Sequence, residues 1–323
     1  MPLEFDSRAR GRRARTPLAM TWLGWKDILI RTWHEMIDDR LMSVAAGVAF
    51  FGLLALAPSL SVLISIYGLV AQPSEIERQL APLFTLMPDT VAGFILEQAH
   101  RIASQPNQTL SFNLFVSLSI AVWSANAGIL AIFEALNIIY EEEEKRSLLK
   151  LYGVSLLTTL SAAVLLVLVL VIIASVPAAV ALLPFSGAVE WALRLLRWPA
   201  FFLLAVVSIA ILYWIGPSRH RARFIWVLPG AGLAALLWVI VSALFSFYVS
   251  HLGNYQVTYG SLSAVIVSMT WLWISACVVL IGAELNSELE HQTARDTTAG
   301  SPKPMGGRGA TMADTVGERR AED

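Results

Sequence analysis

Residues 151–183 read LYGVSLLTTLSAAVLLVLVLVIIASVPAAVALL and contain no charged residue and no histidine. A helix needs about 20 such residues to cross the hydrocarbon core of a bilayer, so this stretch predicts a transmembrane helix. Further uncharged runs reach or approach that length elsewhere in the chain. Together they give six predicted spans, at residues 43–69, 110–133, 151–183, 199–215, 224–249 and 261–283. We therefore predict an all-α fold, a polytopic membrane helix bundle with six transmembrane helices.

The composition of the whole chain agrees with this prediction. Of its 323 residues, 56% are hydrophobic and 15% are charged, whereas an ordinary soluble domain has about 45–50% apolar and about 25% charged residues. The net charge of −1 gives no indication of a nucleic-acid partner. Cys277 is the single cysteine of the sequence, so a disulfide within the chain is excluded.

The positions of the basic residues predict the orientation of the bundle. Lys and Arg residues near a span are held on the cytoplasmic side of the membrane. With six spans, both termini lie on one side, and that side collects 19 of the 23 basic residues. We therefore expect both termini to be cytoplasmic.

The sequence outside the spans suggests four further regions. Residues 1–21 are rich in arginine and are expected to be disordered. Residues 22–41 carry tryptophan and aliphatic residues at helical spacing, which predicts an amphipathic helix in the membrane interface, either an anchor for the first span or a lipid sensor. Within the transmembrane domain, residues 42–290, the external loop 70–109 is either a passive cap or a lid. The tail, residues 291–323, is rich in Gly, Thr and Ala and is expected to be a disordered cytoplasmic segment.

Polar side chains are concentrated in the second predicted span. At 100° per residue, Asn113 and Ser124 share one face of this helix, and Asn126 and Asn137 share another. Polar groups are costly in a bilayer, so this helix is expected to be buried in the bundle. Its side chains either form interhelical hydrogen bonds or line a polar route for a substrate.

Motifs that carry enzymatic chemistry are absent from the sequence. Glu288 and His291 have the spacing of a di-iron ligand pair, but a second such pair on another helix is missing. The sequence has no glycine-rich phosphate loop and no nucleophile motif, and its histidines are scattered singly. We therefore expect no catalytic residues, no metal site, no cofactor and no enzymatic activity.

The order and spacing of several short motifs resemble the YihY/BrkB family of bacterial inner-membrane proteins, over residues 25–290. These motifs are Ala45-Ala46-Gly47-Val48-Ala49-Phe50-Phe51 with Pro58, Trp123-Ser124-Ala125, Ala135-Leu136-Asn137-Ile138-Ile139-Tyr140, Pro229-Gly230-Ala231 with Trp238, and Tyr259-Gly260-Ser261-Leu262 followed by Trp271 and Gly282-Ala283-Glu284-Leu285-Asn286. The resemblance implies a six-helix, multi-pass protein of the bacterial inner membrane. Members have been labelled ribonuclease BN or virulence factor, and some are linked to movement of lipid or lipopolysaccharide precursors. The sequence offers no metal-ligand cluster and no acid–base set for RNA cleavage.

The interior of the predicted bundle favours a lipid-handling function. None of the six spans contains Asp, Glu, Lys, Arg or His, whereas a proton- or sodium-coupled carrier of small ions normally has such a residue in the membrane. We therefore expect a transporter or flippase of a lipid or another amphiphile in envelope biogenesis, with membrane lipids as partners and no nucleic acid. The alternative is a non-transporting scaffold for envelope or virulence factors.

The candidate site residues follow from the transport hypothesis. The polar route is expected to open into a lipid-sized cavity between spans two, five and six. Deleting residues 292–323 is expected to impair a scaffold that acts through its tail and to leave a transporter almost unaffected. The route residues are Asn113, Ser124, Asn126, Asn137, Tyr140 and Tyr259, the inner-mouth residues are Glu134, Glu284 and Asn286, and the helix-packing residues are Gly47, Gly52, Pro58, Pro229, Gly230, Gly260 and Gly282.

Overall fold

The computed structural model of the protein describes residues 10–68, 93, 107–182, 187–251 and 260–318. Within these residues the α-helices are α1 (Trp22–Asp38), α2 (Leu41–Gly68), α3 (Asn107–Ile139), α4 (Leu148–Leu182), α5 (Gly187–Ile215), α6 (Leu228–His251), α7 (Ser263–Gln292) and α8 (Thr311–Asp314). The described part of the chain has no β-strand, only a β-bridge between Ala222 and Thr298. The prediction of an all-α membrane protein is therefore confirmed.

Five helical segments, on α3 to α7, are long and apolar enough to cross a membrane by length and composition. Helix α1 and the first part of α2 meet at 64°, and this bent pair gives a sixth segment if it is counted as one span. The six predicted spans fall on α2 to α7 or directly beside them. Two helices are clearly longer than their predicted spans: α5 begins at Gly187 although the span begins at residue 199, and α7 continues to Gln292 although the span ends at residue 283.

Helix α1 is amphipathic, as the sequence predicts, and the structure shows what each face meets. Thr21 caps its first turn, because its side chain accepts a hydrogen bond from the Gly24 N–H. Asp27, Ile28 and Arg31 are buried on the inner face. The outer face exposes Trp22, Leu29, Trp33 and Ile37. This exposed apolar face is the arrangement expected of a helix that lies in a membrane interface.

The tail differs from its expected disorder, because residues 291–318 pack against the bundle. Asp314 accepts hydrogen bonds from the backbone N–H groups of Gly306, Arg308 and Gly309, at 2.7 to 3.1 Å. Glu142, after α3, accepts a 2.7 Å hydrogen bond from the Thr311 N–H. Glycine-rich composition suggests disorder, but here Gly300, Gly306 and Gly309 adopt positive φ angles, which glycine tolerates without a steric penalty.

The described part of the basic N-terminus is also folded. Arg10 is buried, and its guanidinium donates two 3.0 Å hydrogen bonds to Asp27. The backbone carbonyl of Arg12 accepts a 2.9 Å hydrogen bond from the Ala294 N–H. Residues 10–21 and 291–318 therefore pack together at the end of the bundle that also holds the last turns of α7, and we call this the terminal end.

Some expectations concern parts of the chain outside the described residues. These are residues 1–9 and 319–323, Tyr259, and the external loop 70–109 apart from Gly93 and the start of α3. Asn113 lies on α3, but its side chain is also outside the described part.

Candidate functional site

The last turns of α7 carry buried polar side chains. In residues 284–292 every residue is buried except His291, which is partly exposed. Burying a polar group costs free energy unless it is hydrogen-bonded, and burying a charge costs more unless it is paired. Each polar side chain of residues 284–292, which we call the α7 polar segment, therefore requires a partner.

Asn286 of the α7 polar segment holds the start of α6. Its Oδ1 accepts a 2.7 Å hydrogen bond from the Gly230 N–H, and its Nδ2 donates a 2.9 Å hydrogen bond to the Val227 carbonyl. The first N–H groups of a helix lack partners within that helix, so the neighbouring helix supplies one here. The backbones of α6 and α7 are in contact here, because a Cβ added at Gly230 would overlap the carbonyl oxygen of Gly282.

Two glutamates of the α7 polar segment form buried ion pairs with arginines from other elements. Glu288 accepts a short hydrogen bond from the Arg31 guanidinium, which also donates at 2.7 Å to Gln292. Glu290 accepts two hydrogen bonds from Arg219, at 2.8 and 2.9 Å. The charges of these glutamates are thereby balanced, which buried charges require.

Tyr140 lies beneath one of these arginines. The Arg219 guanidinium is 4.0 Å from the centre of the Tyr140 ring, a distance that allows a cation–π interaction. The Tyr140 hydroxyl is fully buried and has no hydrogen-bond partner, although Asn286 is close by. Burial raises the pKa of Tyr140, so the phenol stays protonated.

Glu284 is the exception among the acidic residues of the α7 polar segment. It is fully buried, and neither carboxyl oxygen has a hydrogen-bond partner. The charges that act on it most strongly are those of Asp39, Glu288, Glu35 and Glu141, and all are negative. A carboxyl group in this position is not explained by structural pairing.

A large apolar cavity lies within the bundle, with a volume of about 750 Å³. Residues from α2, α3, α4 and α7 line it, with Leu212 from α5. Among the lining residues that the structure describes, only Thr159 and Ser275 have polar side chains. The sequence-based hypothesis placed a cavity between spans two, five and six, whereas this cavity lies between spans one, two, three and six.

Glu284 and Tyr140 lie beyond one end of this cavity. Leu280 lines the cavity, and Glu284 follows it by four residues on the same helical face. Ile132 also lines the cavity, and Tyr140 follows it by eight residues, again on the same face of α3 or its continuation. The apolar cavity is therefore followed, toward the terminal end, by two buried polar groups, the Glu284 carboxyl and the Tyr140 hydroxyl.

Asn126 lines a second, smaller cavity of about 390 Å³ between α3 and α4. The Thr159 hydroxyl is 3.5 Å from Asn126 Oδ1, the outer limit of a hydrogen bond. Leu118 and Val122 line both cavities, so the smaller one adjoins the apolar cavity. Asn126 is therefore a predicted route residue that lies beside a cavity.

Asn137 connects loops at the terminal end. Its Oδ1 accepts a 2.7 Å hydrogen bond from the Ser218 N–H, and its Nδ2 donates a 3.1 Å hydrogen bond to Glu144. Burial opposes ionisation of Glu144, but hydrogen bonds from Arg146, then Ser218 and Asn137, lower its pKa to about 2. Asn137 thus fixes the α3–α4 loop against the α5–α6 loop.

The other sequence-predicted residues occupy varied positions. Glu134 is exposed, on the opposite side of α3 from the cavity-lining residues, and Ser124 is partly buried.

The predicted helix-packing residues also differ in their surroundings. An added Cβ at Gly52 would contact Leu272 of α7, whereas one at the exposed Gly47 would meet nothing within 4 Å. Gly260 has a positive φ of 53° before α7. Pro58 lies inside α2, and Pro229 lies in the first turn of α6, where no donor N–H is needed.

Several residues of the site were missed by sequence reasoning. Arg10, Asp27 and Arg31 looked like ordinary topology-setting or surface charges, and Arg219 and Glu290 carried no motif. One signal was available, because Asp27 and Arg31 are four residues apart on the face of α1 opposite its tryptophans. Over the described ranges, no group of three or more His, Cys, Asp or Glu side chains is arranged to hold a metal ion.

Comparison with known proteins gives a consistent family assignment. The family model described as "Virulence factor BrkB" matches residues 32–305. The ribonuclease-like protein YfkH of Bacillus subtilis is 32% identical over 254 residues, which cover 76% of this chain and 89% of that protein. A UPF0761 membrane protein of Tolumonas auensis is 29% identical over 291 residues, which cover 85% of this chain and 89% of that protein.

A further relative extends the same pattern. The UPF0761 membrane protein PSHAa0171 of Pseudoalteromonas translucida is 28% identical over 272 residues, which cover 82% of this chain and 86% of that protein. No solved structure matches the chain.

Proposed function

We propose that the chain, which belongs to the BrkB family of membrane proteins, is a transporter or flippase that moves a lipid or another amphiphile in the bacterial inner membrane. The observation that carries this proposal is the apolar cavity of about 750 Å³ between α2, α3, α4 and α7. Ligand sites in proteins are typically concave, mostly apolar and about 300–1,000 Å³ in volume.

The chemistry of the cavity wall favours an apolar part of a cargo. Thr159 donates its hydroxyl to the Ser155 carbonyl, and Ser275 accepts a hydrogen bond from Trp238, so both polar groups of the wall already have partners. A small polar solute would lose its hydration here without receiving compensating hydrogen bonds. An acyl chain loses no hydrogen bonds when it enters the cavity, because the wall is as apolar as the lipid interior that the chain leaves.

The adjoining smaller cavity offers a place for a polar headgroup. Asn126 and Ser119 line it, together with Tyr152 at the start of α4. An amide offers both a donor and an acceptor, which suits the mixed polar atoms of a headgroup. The cargo would thus place its tails in the apolar cavity and its headgroup beside Asn126.

A non-enzymatic role that needs no cofactor is part of this proposal. Glu288 and Glu290 are held by Arg31 and Arg219 in ion pairs. The ribonuclease-like name of the Bacillus subtilis relative is therefore not extended to this chain.

The proposal is tested by reconstitution of the full chain in proteoliposomes. Transfer of fluorescent phospholipid between leaflets is measured, and native mass spectrometry identifies lipid that co-purifies with the protein. Lipid transfer above protein-free liposomes, with bound lipid in the spectra, is expected. Absence of both would reject the proposed function.

A scaffold is the second candidate, and the folded tail favours it because an ordered surface can hold a partner. The predicted test, deletion of residues 292–323, would remove Gln292 and Thr297, which are buried partners of Arg31 and Glu290. Such a deletion would damage a transporter too. Substituting the exposed residues 301–305 instead separates the two, because only a scaffold that acts through this surface would lose function.

A further inference from the structure

Glu284 differs from every other acidic residue of the α7 polar segment. Glu288 and Glu290 each bind an arginine, whereas both oxygens of Glu284 are buried without a partner. An unpaired buried carboxylate costs several kcal/mol, so a chain has no structural reason to keep one. The carboxyl group is therefore a candidate for a ligand of positive charge.

The surroundings of Glu284 contain further carboxyl groups from separate elements. Glu35 comes from α1, Asp39 from the α1–α2 junction and Glu141 from the end of α3, and each acts on Glu284 through its charge. Tyr140 also interacts with Glu284 electrostatically.

On α7 itself, the side chains of Glu288 and His291 are 3.5 Å apart, and Arg31 of α1 is held by Glu288. The halves of α2 and α6 nearest the terminal end, residues 41–54 and 228–240, contribute no titratable side chain.

The backbone at Glu141 adopts a conformation that favours glycine. Glu141 ends α3 in a left-handed conformation with φ of 51°, and its N–H donates to Ile138 while the Glu142 N–H donates to Asn137. This is a Schellman C-cap, a position that glycine normally occupies. A glutamate there costs roughly 1 kcal/mol relative to glycine.

We propose that Glu284 is a proton-binding site at the terminal end of the apolar cavity, and that Asp39 exchanges its proton with solution. Because neither oxygen of Glu284 has a hydrogen-bond partner, the proton moves by way of water. The O–H bond of protonated Asp39 breaks, its electron pair remains on the Asp39 carboxylate, and an intervening water molecule takes up this proton while it releases one of its own toward Glu284. The proton forms a new O–H bond with a carboxylate oxygen of Glu284. The reverse step returns the proton to solution, so no other reactant is consumed.

Asp39 has the properties that such an exchange requires. It is partly exposed, whereas Glu284 is fully buried. Burial and the nearby charges of Glu35, Glu141 and Asp38 raise the pKa of Asp39 to about 6. A group with a pKa near the pH of the cell gains and loses protons readily.

The position of Glu284 connects proton binding to the cavity. Leu280, one turn earlier on the same face of α7, forms part of the cavity wall. A change in the charge of Glu284 therefore occurs next to the proposed cargo. The proton site goes beyond the proposed function, because it does not depend on which cargo is carried, and its test does not use lipid transfer.

Infrared difference spectroscopy of the full chain in lipid nanodiscs tests the proton site. Spectra recorded across a pH titration report the C=O stretch of buried protonated carboxyl groups. We expect a band that is lost in Glu284→Gln and retained in Glu134→Gln, because Glu134 is an exposed glutamate on the same half of the bundle. Glutamine has nearly the same shape as glutamic acid, so the fold is expected to survive.

Two further measurements make the outcome decisive. After a pH jump, Asp39→Asn is expected to slow the appearance of the Glu284 band without removing it. Adding Na⁺ at constant pH is expected to leave the band unchanged. A band identical in wild type and Glu284→Gln would overturn the proposal, and loss of the band on adding Na⁺ would show that the ligand is sodium rather than a proton.

Discussion

Arg219 and Glu290 form a buried, bidentate ion pair, with guanidinium-to-carboxylate N–O distances of 2.8 and 2.9 Å. The pair joins the loop after α5 to the last turn of α7 and fixes Arg219 over the Tyr140 ring. Burial works against the charge of Arg219, but Glu290 raises its pKa above the ordinary value. Arg219 therefore keeps its charge, and the pair acts as a fixed structural connection.

Breaking this pair is predicted to destabilise the protein strongly. Glu290→Gln leaves the buried Arg219 charge without its counter-ion, which typically costs about 3–5 kcal/mol. The free energy of unfolding in detergent solution measures the effect. The double variant Arg219→Met/Glu290→Leu is expected to recover most of the loss, because an apolar pair leaves no buried charge. Equal instability of the single and double variants would contradict this account.

The contact between α6 and α7 is predicted to tolerate no side chain at Gly282. An added Cβ would overlap the Gly230 carbonyl and lie 2.7 Å from the Tyr213 hydroxyl, so Gly282→Ala is expected to cost about 3 kcal/mol. Gly232 provides a matched control, because a Cβ added there meets nothing within 4 Å. Gly232→Ala is expected to be neutral or to stabilise α6 by about 0.5–1 kcal/mol. Thermal unfolding of both variants decides the comparison.

Asp39 is predicted to make stability depend on pH. Its pKa in the folded protein is about 6, above its ordinary value of 3.8, so the folded state binds the proton more tightly than the unfolded chain. Stability contributed by the protonated form is fully present below about pH 4 and is lost as the pH rises toward 6. Asp39→Asn is expected to remove this loss, raising stability at pH 7.5 by about 1 kcal/mol after allowance for partial exposure. The two proteins should be equally stable near pH 4.

Asp314 is predicted to control the folding of the tail. Burial alone would raise the pKa of this carboxyl group, but hydrogen bonds from the Arg308, Gly306 and Gly309 N–H groups together lower it below its ordinary value. Its stabilising effect is therefore present above the unfolded pKa of about 3.9 and is lost as the pH falls through the lower folded value. Asp314→Ala is expected to cost about 1–2 kcal/mol. Increased proteolysis of residues 299–318 in this variant would report the loss of stability. Unchanged protection from proteolysis would contradict the role assigned to Asp314.

The bundle was predictable because its signal is local. An uncharged run of about 20 residues identifies a span without any knowledge of its neighbours, and the spans accordingly fall on α2 to α7. The apolar face of α1 was equally visible, because Trp22, Leu29 and Trp33 recur at helical spacing. In each case, a single element determines the pattern.

The polar site was not predictable in the same way, because its partners are distant in sequence. Arg31 and Glu288 are separated by 257 residues, and Arg10 and Gln292 by 282. Without those partners, the sequence after residue 283 resembles a solvated helix end. The sequence alone therefore suggested an interior without charges, whereas the structure buries Glu284 next to the cavity.

The tail shows the same limitation. Its glycines and threonines indicate disorder by composition, yet Asp314 and Arg308 satisfy a set of backbone groups that only the folded segment brings together. Thr311 depends on Glu142, which lies 169 residues earlier. Composition describes how little apolar surface a segment has, but it does not describe surfaces that other segments provide.

Filling the apolar cavity tests the proposed transport function most directly. Ala125 lines the cavity, whereas Ala46 is exposed on α2. Lipid transfer in proteoliposomes is compared for wild type, Ala125→Trp and the matched control Ala46→Trp, with equal amounts of folded protein. The account predicts that Ala125→Trp abolishes transfer and co-purified lipid while Ala46→Trp retains both. Undiminished transfer by Ala125→Trp would contradict it.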